Sequence, residues 1–477
     1  MRRSTWLATA LVMMFAVSAG ARPPNVLFVL IDDMGYGDLS CYGEKRVHTD
    51  HIDRLAAEGI RFTQFYVNAP ICSPSRTALM TGQFPARWKI TSYLASRIEN
   101  DRRGMPQWLD PAAPTLARQL QAAGYATGHF GKWHMGGQRD VGEAPLITEY
   151  GFEKTLTTFE GLGDRVLPML DAFDGKPARK YALGSDKLGR GEIVWKDRSA
   201  VTTSFVEAAI KFMETAQGED KPFFVNVWPD DVHSPFFPPK ALRGDESKKS
   251  LYLGVVQATD DQLAPLFDYV RNSPKLRENT LIVVASDNGP EPGAGSAGPF
   301  RGHKGNLYEG GIREPLIVWG PGLVAKSAAG TVNDSTVVAA VDVLPSVMAI
   351  SEGKIAAGQI VDGEDLSASL LGKEKGARTK PLYWLRPPDR PGPLNDPFPD
   401  LAVREGKWKL LVNEDGGKPQ LYDLGMDVAE KNNLADQQPQ VVERLKKMVM
   451  EWRKSLPVGK IGDKGQGPRV DIQNDPG

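Results

Sequence analysis

The chain is poor in cysteine and histidine. Its 477 residues include two cysteines, Cys41 and Cys72, and six histidines. Two cysteines exclude the disulfide framework that staples small exported domains. Six histidines, at positions 48, 51, 129, 134, 233 and 303, leave few imidazoles for a two-zinc centre. Net charge is nearly nil, with 58 Lys and Arg against 59 Asp and Glu. That balance excludes a surface built to coat nucleic acid or another polyanion. After the first 21 residues no run is apolar enough to cross a bilayer, so no stable membrane anchor is expected.

Those first residues have the three parts of a secretory leader. Arg2 and Arg3 supply the positive start, Leu7 to Val17 a short apolar core, and Ala19-Gly20-Ala21 a small-residue cleavage site. The expected mature chain begins at Arg22 and is periplasmic or secreted. No cysteine follows the apolar core at the cleavage site, so a lipoprotein is not expected.

Three continuous apolar runs read as strands buried on both faces: Asn25 to Ile31, Pro222 to Trp228 and Thr280 to Ser286. Helical patterns lie between them. Leu116, Leu120 and Ala123 share one face, stopped by Gly124; Phe205, Ala209 and Phe212 share another. This alternation predicts an α/β fold, a large mostly parallel sheet sandwiched by helices, over residues 22–375. Past about residue 375 the composition changes. A proline-rich stretch at 386–399 precedes a hairpin over Leu401 to Val412, a strand at Leu421 to Leu424, and an amphipathic helix over Gln438 to Trp452 with Val441, Leu445 and Met448 on one face. A smaller antiparallel sheet with a closing helix is expected at 376–455, and a mobile tail at 456–477.

Chemistry collects at the ends of the buried runs. Asp32-Asp33 follows the first and Asp287-Asn288-Gly289 the last, where open α/β sheets place ligands. Adjacent carboxylates repel, and a hard divalent cation resolves that repulsion with oxygen ligands. Gly289 is read as permitting a sharp turn. Lys132 and His134, two apart after the strand-like Tyr125 to Phe130, would face the same way in an extended segment. His233 follows the middle run. Arg301 to Arg313 is a glycine-rich loop dense in cations and includes Lys304. Cys72-Ser-Pro-Ser-Arg76 continues as Thr-Ala-Leu-Met-Thr-Gly82, a cysteine before a turn-forming proline and a cation at the start of a helical pattern. Such a cysteine reads either as a thiolate nucleophile or as a buried structural residue.

The run from Cys72 to Gly82 resembles the signature of type I sulfatases, members of the alkaline phosphatase superfamily. The other segments match that family's patterns in order, through Val403 to Leu410 and Leu421 to Leu424. The resemblance implies that a maturation enzyme oxidises Cys72 to formylglycine (3-oxoalanine), whose hydrate is the nucleophile. It implies one divalent cation, Ca²⁺ favoured over Mg²⁺, held by Asp32, Asp33, Asp287, Asn288 and residue 72. Arg76 would support the hydrate, Lys132 and Lys304 bind sulfate oxygens, His134 assist breakdown of the covalent intermediate, and His233 protonate the leaving alcohol. A hydroxyl residue common near the sulfate is not placed by the motifs; Thr155, Thr157 and Thr158 are the candidates.

The expected activity is hydrolysis of a sulfate ester, with a sulfated carbohydrate as the expected substrate. Two rivals stand beside it: a phosphonate or phosphodiester hydrolase of the same superfamily, and a non-catalytic binder of sulfated glycans. Sugar subsites are expected in loops 88–112, 135–200 and 384–400, from Trp108, Trp195, Trp228, Trp384 and the cluster Arg386 to Arg390, against the alternative that most of these tryptophans are packing.

Overall fold

The computed structural model describes residues 22–171, 173, 175–393 and 397–459. The expected leader and nearly all of the expected tail lie outside them. Twelve strands form the large sheet: β1 (Asn25–Ile31), β2 (Ile60–Tyr66), β3 (Ala126–Gly131), β4 (Lys154–Thr157), β5 (Arg165–Leu170), β6 (Arg179–Lys180), β7 (Ile193–Asp197), β8 (Phe223–Trp228), β9 (Thr280–Ser286), β10 (Arg313–Trp319), β11 (Thr331–Asn333) and β12 (Val338–Ala339). Their order is β11-β2-β10-β9-β1-β8-β3-β4-β5-β6, with β12 beside β2 and β7 beside β5. Pairing is parallel from β9 through β5, while β10 runs antiparallel to both β2 and β9.

The three apolar runs are the three central strands. Their residues alternate between two cores, as the strand period requires. Val26, Phe28 and Leu30 join a core with helices Cys72–Thr81, Leu116–Ala122 and Val343–Ile350. Leu27, Val29 and Ile31 join one with helices Asp50–Glu58, Val201–Gly218 and Lys248–Asn272. Each such side chain contributes about 1.5–3 kcal/mol on burial. Fully apolar strands are thus required, because both faces are covered.

A second, antiparallel sheet contains β13 (Leu382–Leu385), β14 (Leu401–Glu405), β15 (Trp408–Val412) and β16 (Gln420–Asp423). Leu401, Val403, Leu410, Val412 and Leu421 pack under helix Pro439–Ser455. Leu382, Trp384, Ala402, Leu411 and Tyr422 on the other face join the first core of the large sheet. The closing helix is turned slightly from the expected face: Val442, Leu445 and Val449 are its buried apolar residues, and Val441 and Met448 flank them.

Two expected sugar contacts are core residues instead. Trp228 and Trp384 are fully buried. Trp384 donates its indole N–H to Val67 O at 2.7 Å, and Trp228 lies beneath the Arg76 guanidinium, 5.2 Å from ring centroid to carbon. Both sit on apolar strands whose alternation turns them inward. Trp108 and Trp195 remain only partly buried.

Candidate active site

Four neighbouring strand ends meet at one edge of the sheet, in the order β9, β1, β8, β3. Beyond β1 lie Asp32 and Asp33, beyond β9 Asp287 and Asn288, beyond β8 the segment to His233, and beyond β3 Lys132 to His134. Asp33 and His134 take left-handed backbone, with φ of 59° and 57°, which redirects the chain at each strand end. Lys132 and His134 therefore reach the site through a turn after Gly131, not by strand alternation. Gly289 has no positive φ. Its role is close approach: a Cβ there would lie 2.2 Å from Gly310 O, so the loop carrying Lys304 could not close against this strand end.

Cys72 enters from the opposite side, as the first residue of helix Cys72–Thr81. Pro74 falls in the first turn, where its missing N–H costs nothing. Gly82, at φ 65°, caps the end by donating to Ala78 O. All ten helix residues are buried, including five polar ones. Thr77 and Thr81 donate to carbonyls one turn back, at 2.8 and 2.7 Å, which satisfies their hydroxyls inside the core.

The charged groups interlock. Arg76, fully buried, donates from Nε to Asp287 Oδ2 at 2.9 Å, from Nη2 to Asp32 Oδ1 at 3.1 Å, and from Nη1 to Lys132 O at 2.7 Å. Lys132 Nζ lies 2.6 Å from Asp32 Oδ2 and 3.7 Å from Cys72 Sγ. Lys304 Nζ lies 2.6 Å from Asp33 Oδ2, and Asn288 Nδ2 donates to Asp33 Oδ1 at 2.6 Å. His233 Nε2 stands 3.6 Å from Asp33 Oδ2. His134 Nε2 bonds Leu94 O at 2.8 Å, leaving a buried Nδ1 with no hydrogen-bond partner among the described residues. All ten catalytic and metal candidates thus fall at this end of the sheet, and the candidate threonines do not join them. Thr157 donates to Gly131 O at 2.8 Å, and Thr158 Oγ1 accepts from Glu160 N at 3.2 Å.

Electrostatics separate the acids. Burial pushes the Asp32 carboxyl up, but Lys132 and Arg76 outweigh it and hold it well below the usual range. Asp287, pushed by burial and by neighbouring Asp32, rises to about 8 despite Arg76. Burial, reinforced by Asp32, raises the Cys72 thiol far above its ordinary value. A thiolate is therefore disfavoured at residue 72, and an unmodified cysteine here is a poor nucleophile.

The donor set fits a hard cation. One oxygen each from Asp32, Asp33 and Asp287 lie within 4.8 Å of one another. Asn288 Oδ1 is buried with no hydrogen-bond partner among the described residues, an orphaned acceptor of the type a cation takes. As drawn, Lys132 and Lys304 are tied to Asp32 and Asp33. A dication on these oxygens would compete for the same carboxylates and free both ammonium groups for an anion.

The sequence missed several neighbours. Tyr93 stands beside His134, ring centroids 6.4 Å apart, and Arg103 and Arg390 lie over its ring at 4.3 and 5.4 Å. Asp389 accepts from Ser92 Oγ at 2.6 Å and from Arg390 Nη1 at 2.9 Å. Glu160 Oε2 lies 3.6 Å from His134 Nε2. All of them lie in the loops 88–112, 135–200 and 384–400 where sugar subsites are expected, but only Arg390 was singled out by residue, as part of a cationic cluster. His129, by contrast, is packed among Trp133, Phe152 and Trp228, and burial lowers it to about 3, a neutral core histidine.

The sulfatase family model matches residues 24–353, a span containing all the clustered candidates. Human arylsulfatase A is 32% identical over 480 aligned residues, covering 91% of this chain and 89% of that protein. The N-acetylgalactosamine-6-O-sulfatase of Bacteroides thetaiotaomicron is 28% identical, covering 90% of this chain and 93% of that one. The solved structure of Ps i-CgsB in complex with k-i-k-neocarrahexaose is similar with a TM-score of 0.74 and 25% identity, over 90% of this chain and 93% of that chain. The chain belongs to the type I sulfatase family and is a sulfatase, a hydrolase of sulfuric esters.

Proposed function

We propose that this enzyme removes sulfate from a sulfated carbohydrate, using formylglycine at residue 72 and one divalent cation, Ca²⁺ by preference. The observation that carries the reading is the placement of Cys72 Sγ 3.7 Å from Lys132 Nζ, beside the Asp32 cluster, with its own thiolate disfavoured. Formylglycine hydrate supplies two hydroxyls on one carbon, one to attack sulfur and one to expel sulfate and restore the aldehyde. Asp32, Asp33, Asp287 and Asn288 would hold the cation, which supplies positive charge for the ester oxygens and lowers the cost of deprotonating a hydroxyl.

The chain's own groups do the rest. Arg76 fixes Asp32 and Asp287 relative to each other and packs on Trp228. Lys132 and Lys304 neutralise ester oxygens, which otherwise repel an incoming nucleophile. His134, bonded through Nε2 to a carbonyl, carries its proton there, so its free Nδ1 is a proton acceptor. Burial and Lys132 hold this ring well below its ordinary value, keeping it neutral. His233 faces the site through Nε2, 3.6 Å from Asp33, and protonates the departing oxygen as the imidazolium; burial and Lys304 pull this ring below its ordinary value, against Asp33, so the charged form is a ready proton donor and reverts to the neutral ring once the proton is given.

Carbohydrate is supported by relatives named for sulfated sugars and by a rim of Tyr93, Arg103, Asp389 and Arg390, suited to hydroxyls and anionic groups. Among the described residues no helix is long and apolar enough to cross a membrane, and export with a maturation enzyme as partner completes the reading. A panel of sulfated mono- and oligosaccharides, aryl sulfates and phosphodiesters tests it, with peptide mass analysis of residue 72. Sulfate release from a glycan by aldehyde-bearing protein, lost in Cys72→Ala, is the expected result. Dominant phosphodiester turnover, or full activity with only unmodified cysteine, overturns it.

A further inference from the structure

Arg198 lies where β7 hands over to helix Val201–Gly218, and its side chain is 4% exposed. None of the motifs includes it. Its Nη1 donates to Asp230 Oδ1 at 3.0 Å. Its Nη2 donates to Asp230 O and, at 3.2 Å, to His233 O. His233 N closes the same turn by donating to Asp230 O at 3.1 Å. One guanidinium thus binds both ends of the segment that leads from β8 to His233, a segment with no helix or strand to hold it.

The imidazole is fixed as well. His233 Nδ1 lies 2.6 Å from Ser234 O, and a carbonyl only accepts, so Nδ1 donates. Nε2 is left facing the site, 3.6 Å from Asp33 Oδ2, and it carries a proton to give only when the ring is the imidazolium, both nitrogens then donating. Rotation or slippage of residues 230–233 would swing this nitrogen off the leaving oxygen. Proton transfer tolerates little displacement, since donor and acceptor must come within about 3 Å.

We propose that Arg198 is a positioning residue that holds His233 in line with the leaving oxygen. A planar fork is needed, because one side chain must donate to a carboxylate and two carbonyls at fixed angles; lysine offers a single point donor. The proposal rests on His233 being the acid.

The test is the dependence of kcat/KM on leaving-group acidity, with 4-nitrophenyl sulfate and 4-methylphenyl sulfate as probes. A nitrophenolate departs without help, whereas the methylphenolate needs a proton. The ratio of the two kcat/KM values does not depend on how much of a variant is folded. Arg198→Lys should lower kcat/KM for the methylphenyl ester roughly tenfold more than for the nitrophenyl ester, a share of the general-acid effect. His233→Ala should show the same bias, and the double variant no more than His233→Ala alone. Where Arg198→Lys does not fold, Arg198→Gln reads the same ratio. Bias in His233→Ala with none in the Arg198 variants refutes the positioning role and leaves the acid in place. An unbiased His233→Ala refutes the acid assignment, and the role of Arg198 with it.

Discussion

Chelation of the purified enzyme probes the acidic cluster without relying on turnover. At free cation about 100-fold above Kd, binding stabilises the folded state by about 2.7 kcal/mol. Unfolding entropy is about 2.1 cal/mol/K per residue, so a chain of 477 residues loses stability at about 1 kcal/mol per degree near Tm. Removing the cation should therefore lower Tm by about 3 °C. The pH dependence is sharper. In the cation-free protein Asp287 is pushed up to about 8, against an ordinary 3.8. Between those values the folded state keeps a proton that the unfolded chain has released. Cation-free stability thus falls as pH rises through that window, by up to about 1.4 kcal/mol per unit, and levels off above about 8. The cation displaces that proton, so its affinity should rise about tenfold per pH unit from 6 to 7.5. The Tm gap between loaded and chelated protein should widen over the same range; titrating groups away from the acidic cluster are common to both forms and cancel. Differential scanning fluorimetry in matched buffers, with metal content by mass spectrometry, measures this. Metal removal without a change in Tm, or a gap independent of pH, refutes the cation site as drawn.

Lys409→Met should destabilise the protein by about 3–5 kcal/mol, because Lys409 is fully buried between Glu309 and Glu430, 2.9 Å from each; Glu430 would lose its cation, and Glu309 would keep only Arg313 and the Tyr66 hydroxyl. Urea unfolding measures it, and a loss below about 1 kcal/mol contradicts the estimate. Arg390→Ala should raise KM for a glycan substrate roughly tenfold more than for 4-nitrophenyl sulfate, about the 1.4 kcal/mol of one lost polar contact; equal effects on both would remove Arg390 from the sugar rim.

The central fold was legible because buried parallel strands leave an uninterrupted apolar signal. Asn25–Ile31 and Thr280–Ser286 match the expected runs residue for residue. The candidate site was legible for a related reason: Asp32, Asp33, Asp287 and Asn288 follow those strands immediately, so locating the strand ends locates the carboxylates. The rim was not. Ser92, Tyr93 and Asp389 come together over a separation of 297 residues between Ser92 and Asp389, and neither segment has a period to read. Trp228 and Trp384 misled because tryptophan suits both a sugar platform and a core, and only strand register decides. Lys409 carried a family pattern but no hint that it is a buried ion-pair partner; that depends on Glu309 and Glu430 arriving from two other segments.

Residue 72 is 2% exposed, and the charged groups around it, Asp32, Lys132, Asp287 and Lys304, come from far along the chain. No separate enzyme can reach that side chain once the sheet has closed. The conversion proposed for it would therefore have to happen while the polypeptide is still open, which would make maturation a race between a modifying enzyme and folding. The high contact order of a parallel sheet slows folding and widens that window. Mutations or low temperatures that change folding speed would then alter the fraction of molecules carrying the aldehyde, and hence specific activity, without touching any residue of the finished site.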